Sequence, residues 1–373
     1  MYYLDNAATT PLSQEVKDYI ISILDDFGNP SSYYELGLTT KRIINEARES
    51  VKKFVNCPAN AEIIFTSSGS AANTLAINGL TEHCNDYILF YSPTAHKSMV
   101  KCCEHCKYAH ELKVDKNGMI DLEDLKKNLE MVYPIQTIVC FEAANSELGT
   151  IQPIYDLVKL VHYYHGIVVA DLTGYIPYYK VNILDLDVDL ATFSGHKLHA
   201  LKGVGVLYKL EDIGIEPLVY GSQENGYFAG TENVIGIASL GKAVETYNYN
   251  FVSTYQRHIL YNLFKDGISD CYLVGAEFNN RLPLNLYMCF KGIVGNELVA
   301  LLEKDGIYVS TGSACNNGSP NPSNALTAIG MDENDVNSCI RFTFSGNEDI
   351  YDLEDIFMSV RNAVNLLRSV NER

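Results

Sequence analysis

Apolar residues recur at helical spacing through the first part of the chain. Residues 13–27 place Val16, Tyr19, Ile20, Ile23, Leu24 and Phe27 on one face behind Ser13, a residue type that caps helices. Residues 41–55 repeat the pattern with Ile44, Ala47, Val51 and Val55, so two amphipathic helices are predicted. Between them Phe-Gly-Asn-Pro-Ser-Ser (27–32) is a run of turn formers and predicts a loop. From Glu62 onward short apolar runs alternate with helix-length segments. The runs 62–66, 86–91, 137–141, 167–170, 188–193 and 203–208 predict strands, and 69–81, 96–108, 121–131 and 153–165 predict helices. That alternation predicts an α/β fold with a mainly parallel, doubly wound sheet. After about residue 250 the alternation loosens into a helix near 295–304, a Gly/Ser/Asn/Pro-rich loop at 311–324 and a terminal helix capped by Asn347, which predicts a second, smaller domain. There is no internal repeat and no heptad run.

Composition narrows the partners more than the fold. With 373 residues and 47% hydrophobic content, the chain can bury a substantial core and is expected to form one large and one smaller domain. A formal charge of −18 argues against nucleic acid or an anionic membrane as the main partner, because both require basic surface. No stretch approaches the roughly 18 apolar residues of a spanning helix. The start Met-Tyr-Tyr-Leu-Asp-Asn lacks the basic-then-apolar layout of a signal peptide, so a cytoplasmic location is expected. Ten cysteines in so long a chain are not a disulfide framework, and most are expected as thiols filling the core.

In doubly wound sheets ligands bind beyond the carboxyl ends of the strands, so the residues after each apolar run are the ones that matter chemically. The run Asp189-Leu-Ala-Thr-Phe-Ser-Gly-His-Lys197 leads straight into Ser194, Gly195, His196 and Lys197. A lysine there can form a Schiff base if its site is partly desolvated or flanked by cations, and His196 is compatible with that. The turn after residues 62–66 places Gly69 and Ser70 at a helix start, where free backbone N–H groups and the positive dipole end suit a phosphate. Asp171 ends another strand and, opposite a pyridine nitrogen, would keep that nitrogen protonated. His96 follows residues 86–91 at a strand-to-helix junction, where an imidazole can stack on an aromatic cofactor and shuttle protons. Cys315 lies in Ser310-Thr-Gly-Ser-Ala-Cys-Asn-Asn-Gly-Ser-Pro320, a composition that predicts an exposed, mobile loop and a thiol able to swing to a substrate and back. Each feature taken singly also has a plain structural reading: a solvated lysine, an N-cap turn, a capping aspartate, a helix-start histidine, an incidental loop thiol. Cys102, Cys103, His105, Cys106 and His110 form the densest Cys/His group, but they fall in one predicted helix with no second ligand pair nearby, so no metal is expected.

The order and spacing of several motifs carry more information than any one of them. Leu-Asp-Asn-Ala-Ala-Thr-Thr-Pro (4–11), Phe-Gly-Asn-Pro-Ser-Ser (27–32), Ala-His-Lys (95–97), Asn-Ser-Glu-Leu-Gly (145–149), Ser-Gly-His-Lys (194–197), Gly-Thr (230–231), Gly-Ser-Ala-Cys (312–315) and Ile-Arg-Phe (340–342) run nearly end to end. In this the chain resembles the cysteine desulfurases of the NifS and IscS type, in the class V aminotransferase family of fold-type I pyridoxal-phosphate enzymes. The resemblance implies a large cofactor-binding domain over 11–250 and a smaller α+β domain made of 1–10 and 251–373 that carries the Cys315 loop.

It further implies pyridoxal 5'-phosphate as cofactor, Lys197 as its Schiff-base lysine, His96 as the ring-stacking histidine and Asp171 as the pyridinium partner. Gly69, Ser70, Ser194 and His196 would hold the phosphate, and Thr231 would reach the phosphate of a neighbouring subunit in a homodimer. Asn145 and Arg341 would orient the cofactor and the substrate carboxylate, the planar guanidinium being suited to bidentate binding. The implied reaction converts L-cysteine to L-alanine, leaves the sulfur as a persulfide on Cys315 and hands it to an acceptor protein. The chain departs from the family pattern at Gly174, where a glutamine is usual, at Asn225 and Phe228, where arginines are usual, and at Asn73-Thr74. Two other readings stand beside this one: a class V aminotransferase or β-lyase acting on another amino acid, which Gly174 and Phe228 would permit, and a non-catalytic relative that binds partners.

Overall fold

The computed structural model describes residues 1–84, 86–312 and 323–371. Eight strands come first along the chain: β1 (Tyr2–Tyr3), β2 (Ala61–Thr66), β3 (Tyr87–Tyr91), β4 (Ala109–Glu111), β5 (Gln136–Glu142), β6 (Ile167–Asp171), β7 (Leu190–Ser194) and β8 (Gly205–Leu210). Seven of them form one sheet in the order β2-β8-β7-β6-β5-β3-β4. Neighbours from β7 through β4 are parallel, while β8 runs antiparallel to both β2 and β7. The sheet is therefore mainly parallel and doubly wound, as the alternating pattern predicts.

Successive side chains of the inner strands bury on opposite faces. Val139, Phe141, Val168 and Ala170 join one apolar cluster with Val51, Leu157 and Val161, whereas Ile138, Cys140 and Val169 join another with Leu75, Leu80 and Met99. A strand covered by helices on both faces has no polar side, which is why these segments read as continuous apolar runs.

Four more strands follow: β9 (Cys271–Leu273), β10 (Asn285–Phe290), β11 (Ile307–Tyr308) and β12 (Cys339–Thr343). β12, β10 and β9 form an antiparallel sheet, and β1 pairs in parallel with β11. A separate core gathers Leu4 with Leu260, Phe264, Met288, Phe290, Phe342, Phe357 and Val360.

Several boundaries differ from the pattern-based expectation. The first helix stops at Ser22, because Leu24 and Phe27 continue the apolar spacing without a core to cover them. The second begins at Glu35 rather than residue 41. The helix predicted over 96–108 spans Lys97–Glu104, because the chain must turn back to lay β4 along β3. The terminal helix Ile350–Asn371 is capped by Asp349, whose carboxylate accepts from the N–H groups of Tyr351 and Asp352 at 2.9 and 3.0 Å, and not by Asn347. The helix Val234–Thr246 gave no periodic signal because it buries Ile237, Ala238, Leu240, Ala243 and Val244 around most of its girth.

At the edge remote from the strand ends, the His162 Nε2 lies 2.9 Å from Asp189, which also accepts from the Val168 N–H at 2.7 Å. This contact ties the helix Ile154–Tyr163 to the sheet, and hydrogen bonding to Asp189 raises the His162 pKa above its ordinary 6.5. The linked stability is complete below pH 6.5 and is lost as the pH rises through the higher folded value. His162→Gln should therefore lower unfolding stability by about 1 kcal/mol at about pH 6 and by less at about pH 9. Urea unfolding at both values checks this, and an equal loss at both would exclude a charge-dependent tie.

Candidate active site

A cavity of about 640 Å³ opens at the carboxyl ends of the parallel strands, where a doubly wound sheet places its ligands. Its floor is a chain of buried hydrogen bonds. Asp171, 4% exposed at the end of β6, accepts from Asn73 Nδ2 at 2.8 Å through one oxygen and from the Thr173 N–H at 2.9 Å through the other. The Asn73 amide also donates to Ser98 Oγ at 3.0 Å and accepts from Thr192 Oγ1 at 2.5 Å, so one side chain joins β6, β7 and the helix after β3.

At one end of the cavity the helix Gly69–His83 begins, capped by Ser68, whose hydroxyl takes the Ala71 N–H at 3.1 Å. The first-turn amides of Gly69 and Ser70 have no acceptor within the helix, as at any helix start, so this end suits an anion. Ser194 and His196 stand beside them on the wall. Gly205, at the start of β8, permits this crowding: a Cβ there would lie 2.2 Å from the Ser68 carbonyl carbon.

Lys197 ends the short turn after β7, and its Nζ donates to the carbonyls of Ala7 and Ala8. The N-terminal segment is stitched to that turn, with Thr10 Oγ1 donating to the His196 carbonyl at 2.9 Å and accepting from the His199 N–H at 3.0 Å. Burial, then the charges of Lys197, Lys202 and His96, push the His196 pKa down to about 4. His196 is thus neutral near pH 7 and adds no positive charge beside Lys197, contrary to the role as a flanking cation that the sequence allowed.

The opposite wall comes from β12. Arg341 is 2% exposed and donates to Asp5 Oδ1 at 2.7 Å and to the Ser146 carbonyl at 3.3 Å. Among the described residues its Nε has no hydrogen-bond partner. His96 caps the helix Lys97–Glu104, its Nδ1 accepting from the Ser98 N–H at 3.2 Å.

Gly69, Ser70, His96, Asn145, Asp171, Ser194, His196, Lys197 and Arg341 all line this one cavity. Thr231 is exposed and off it, and Cys315 lies outside the described residues. Asn73, Lys97, Glu142, Glu147 and Lys202, to which the sequence reading gave no site role, also line the cavity. Glu142 was findable, since it ends β5 at the same edge where Asp171 ends β6. Asn225 and Phe228 lie away from the cavity, whereas Gly174 is on its wall. Among the described residues no group of three or more His, Cys, Asp or Glu side chains could hold a metal ion.

The class-V aminotransferase model matches residues 2–356. The chain belongs to the class-V aminotransferase family. Within that family it groups with the cysteine desulfurases. It is 38% identical to the cysteine desulfurase IscS of Dictyoglomus turgidum, over 91% of this chain and 89% of that one. Among solved structures, a NifS-like protein from Rickettsia africae superposes with a TM-score of 0.88 at 27% identity, covering 98% of this chain and 99% of that one. A structure described as SspA in complex with cysteine gives 0.80 at 26% identity, covering 94% of this chain and all of the other.

Membership of this family implies pyridoxal 5'-phosphate as cofactor. The anion-ready helix start, the buried carboxylate of Asp171 and the amine of Lys197 face one space, so the donor set fits a phosphorylated pyridine aldehyde.

Gly174 is built into the wall differently from the family pattern. A Cβ at that position would lie 2.3 Å from the Ala144 carbonyl oxygen, so this backbone has no room for a glutamine. Gly174→Gln should therefore destabilise the protein by about 1–3 kcal/mol without improving turnover. Thermal melting and steady-state kinetics check it, and a variant that melts unchanged and turns over faster would show that the wall accepts the side chain.

Proposed function

We propose that this protein is a pyridoxal-phosphate-dependent cysteine desulfurase that converts L-cysteine to L-alanine and passes the sulfur to Cys315 as a persulfide. The observation that carries this reading is that Lys197, Asp171 and the Gly69 helix start line one cavity with Arg341. The kinship to cysteine desulfurases and the cysteine complex of a structural relative support it.

When bound, the cofactor supplies an electron sink that lets the α-carbon give up its proton and the carbon–sulfur bond open. The Gly69 and Ser70 amides, with Ser194 and neutral His196, hold its phosphate. Asp171, fixed by Asn73 and Thr173, places negative charge where a pyridine nitrogen is to stay protonated. His96 would cover the ring and Asn145 would orient it. Lys197 would anchor the cofactor through its amine and, when free, would take up and hand on the substrate's α-proton. Arg341, braced by Asp5, takes the substrate carboxylate with the donors it has to spare. The Cys315 thiolate then attacks the substrate sulfur, alanine leaves, and an acceptor protein collects the persulfide sulfur.

Two features of organisation belong to the same proposal. The chain works as a homodimer in which Thr231, exposed and off the cavity wall, meets the neighbouring subunit's phosphate. Residues 11–250 form the cofactor-binding domain, and 1–10 with 251–373 form the smaller one. Supporting this division, one pair of apolar clusters draws on residues from Val16 to Val244 and another on Leu4 with residues from Leu260 to Val364. Among the described residues no helix is long and apolar enough to cross a membrane.

Purified protein supplied with cysteine and a thiol should release equimolar alanine and sulfide. Cys315→Ala should lose at least about 100-fold in turnover while keeping the cofactor colour, and undiminished sulfide release from that variant would sink the persulfide step. Borohydride should fix the cofactor to Lys197, read by peptide mass, and Lys197→Ala should be colourless after removal of free cofactor. A native protein that stays colourless with added cofactor would overturn the enzymatic reading.

A further inference from the structure

Glu142 has no role in the reaction just described, yet it stands at the centre of the site. It ends β5 directly opposite Asp171 in the parallel register with β6, so both side chains leave the same face of the sheet. Glu142 is 9% exposed and Asp171 4%. Asn145 Nδ2 donates to Glu142 Oε2 at 3.0 Å and to the Thr94 carbonyl at 2.6 Å, and the nearby His96 backbone favours the Glu142 carboxylate slightly. One carboxyl therefore joins the His96 turn, the Asn145 loop and the end of β6.

Two buried carboxyls side by side cannot both ionise cheaply, so one retains its proton. Asp171 uses both oxygens as acceptors, toward Asn73 and Thr173. Burial, and after it the charge of Asp171, pushes the Glu142 carboxyl well above the ordinary carboxylate range. The titratable groups acting on Glu142 are Asp171 from β6 and Glu147 from the Asn145 loop, while Arg341 and Lys97 act on Glu147.

We propose that Glu142 is a positioning residue of the cofactor site, a protonated carboxyl that fixes Asn145 and the His96 turn beside Asp171 and leaves the negative charge to Asp171. This rests on the reading of Asp171 as the partner of the pyridine nitrogen. Glu142 acts through Asn145 and His96 and touches no reacting atom. The sign of its effect on stability follows from its raised folded pKa. The stabilisation linked to its proton is complete below the unfolded value of 4.5 and is lost as pH rises through the folded value.

The test compares the parent with Glu142→Gln, Glu142→Ala and Asp171→Asn, each freed of cofactor and then titrated with pyridoxal 5'-phosphate while its visible absorbance is followed. Glu142→Ala strips the acceptor from Asn145, which also holds the Thr94 carbonyl, so it should bind about 10-fold more weakly with a displaced absorbance band. Glu142→Gln keeps an acceptor without the charge and should restore affinity to within about 2-fold of the parent. Melting of the cofactor-free proteins from about pH 6 to about pH 9 should show Glu142→Gln gaining on the parent as pH rises. Parental affinity in Glu142→Ala, no rescue by Glu142→Gln, or a pH-independent melting difference would each overturn the inference. Should Glu142→Ala fail to fold, the Glu142→Gln melting profile still decides. Unchanged affinity in Asp171→Asn overturns the underlying reading as well, whereas lost affinity there beside an unaffected Glu142→Ala overturns the inference alone.

Discussion

The Arg341 guanidinium is almost fully buried, and its 2.7 Å contact with Asp5 is what makes that burial tolerable. Leaving a buried charge without its partner costs about 3–5 kcal/mol, a large part of what holds a protein folded. Asp5 sits in the N-terminal segment, far from Arg341 in sequence, so the pair dictates where that segment runs. From Asp5 the chain continues past Ala7, whose N–H donates to Thr343 at 3.0 Å, and on to the carbonyls of Ala7 and Ala8 that receive Lys197. A single strap thereby sets the substrate-facing arginine on β12 against the lysine turn after β7. The motif at 4–11 makes physical sense as this strap.

The other half of the site depends on satisfying polar groups at the edge of a sheet that excludes water. Asn73 serves Asp171, Ser98 and Thr192 at once, and each of those lies on a different element. Such a network is rigid because any member that moves leaves a buried donor or acceptor unmade. Electrostatics then divide the labour among neighbours of similar chemistry. His196 is pushed toward the neutral form by burial and adjacent cations, and Glu142 toward the neutral form by burial and an adjacent anion.

Much of the site was legible because strand ends at a parallel sheet edge are where chemistry collects, and Lys197, Asp171 and the Gly69 turn obey that rule. Glu142 obeys it equally and was passed over because its strand was ended one residue early, at Phe141. Asn73 stood out only as a departure from the family pattern, and its role as the joint between Asp171, Ser98 and Thr192 had no signal until its partners were known. Gly174 read as a missing side chain, whereas the backbone of Ala144 occupies the space that side chain would need. Asn347 looked like a helix cap by residue type, but the geometry fell to Asp349 two residues later.

The strand–helix alternation of the larger sheet, its mainly parallel character and the family kinship were determined by the chain alone, because hydrophobic period and strand-end residue type are local properties. Tertiary structure alone decided which charges survive, which donors are spare and how far Asp5 reaches, because desolvation and pairing arise only when residues distant in sequence share a buried space. His196 shows the division most plainly. Its position followed from the motif, and its protonation state followed from what surrounds it.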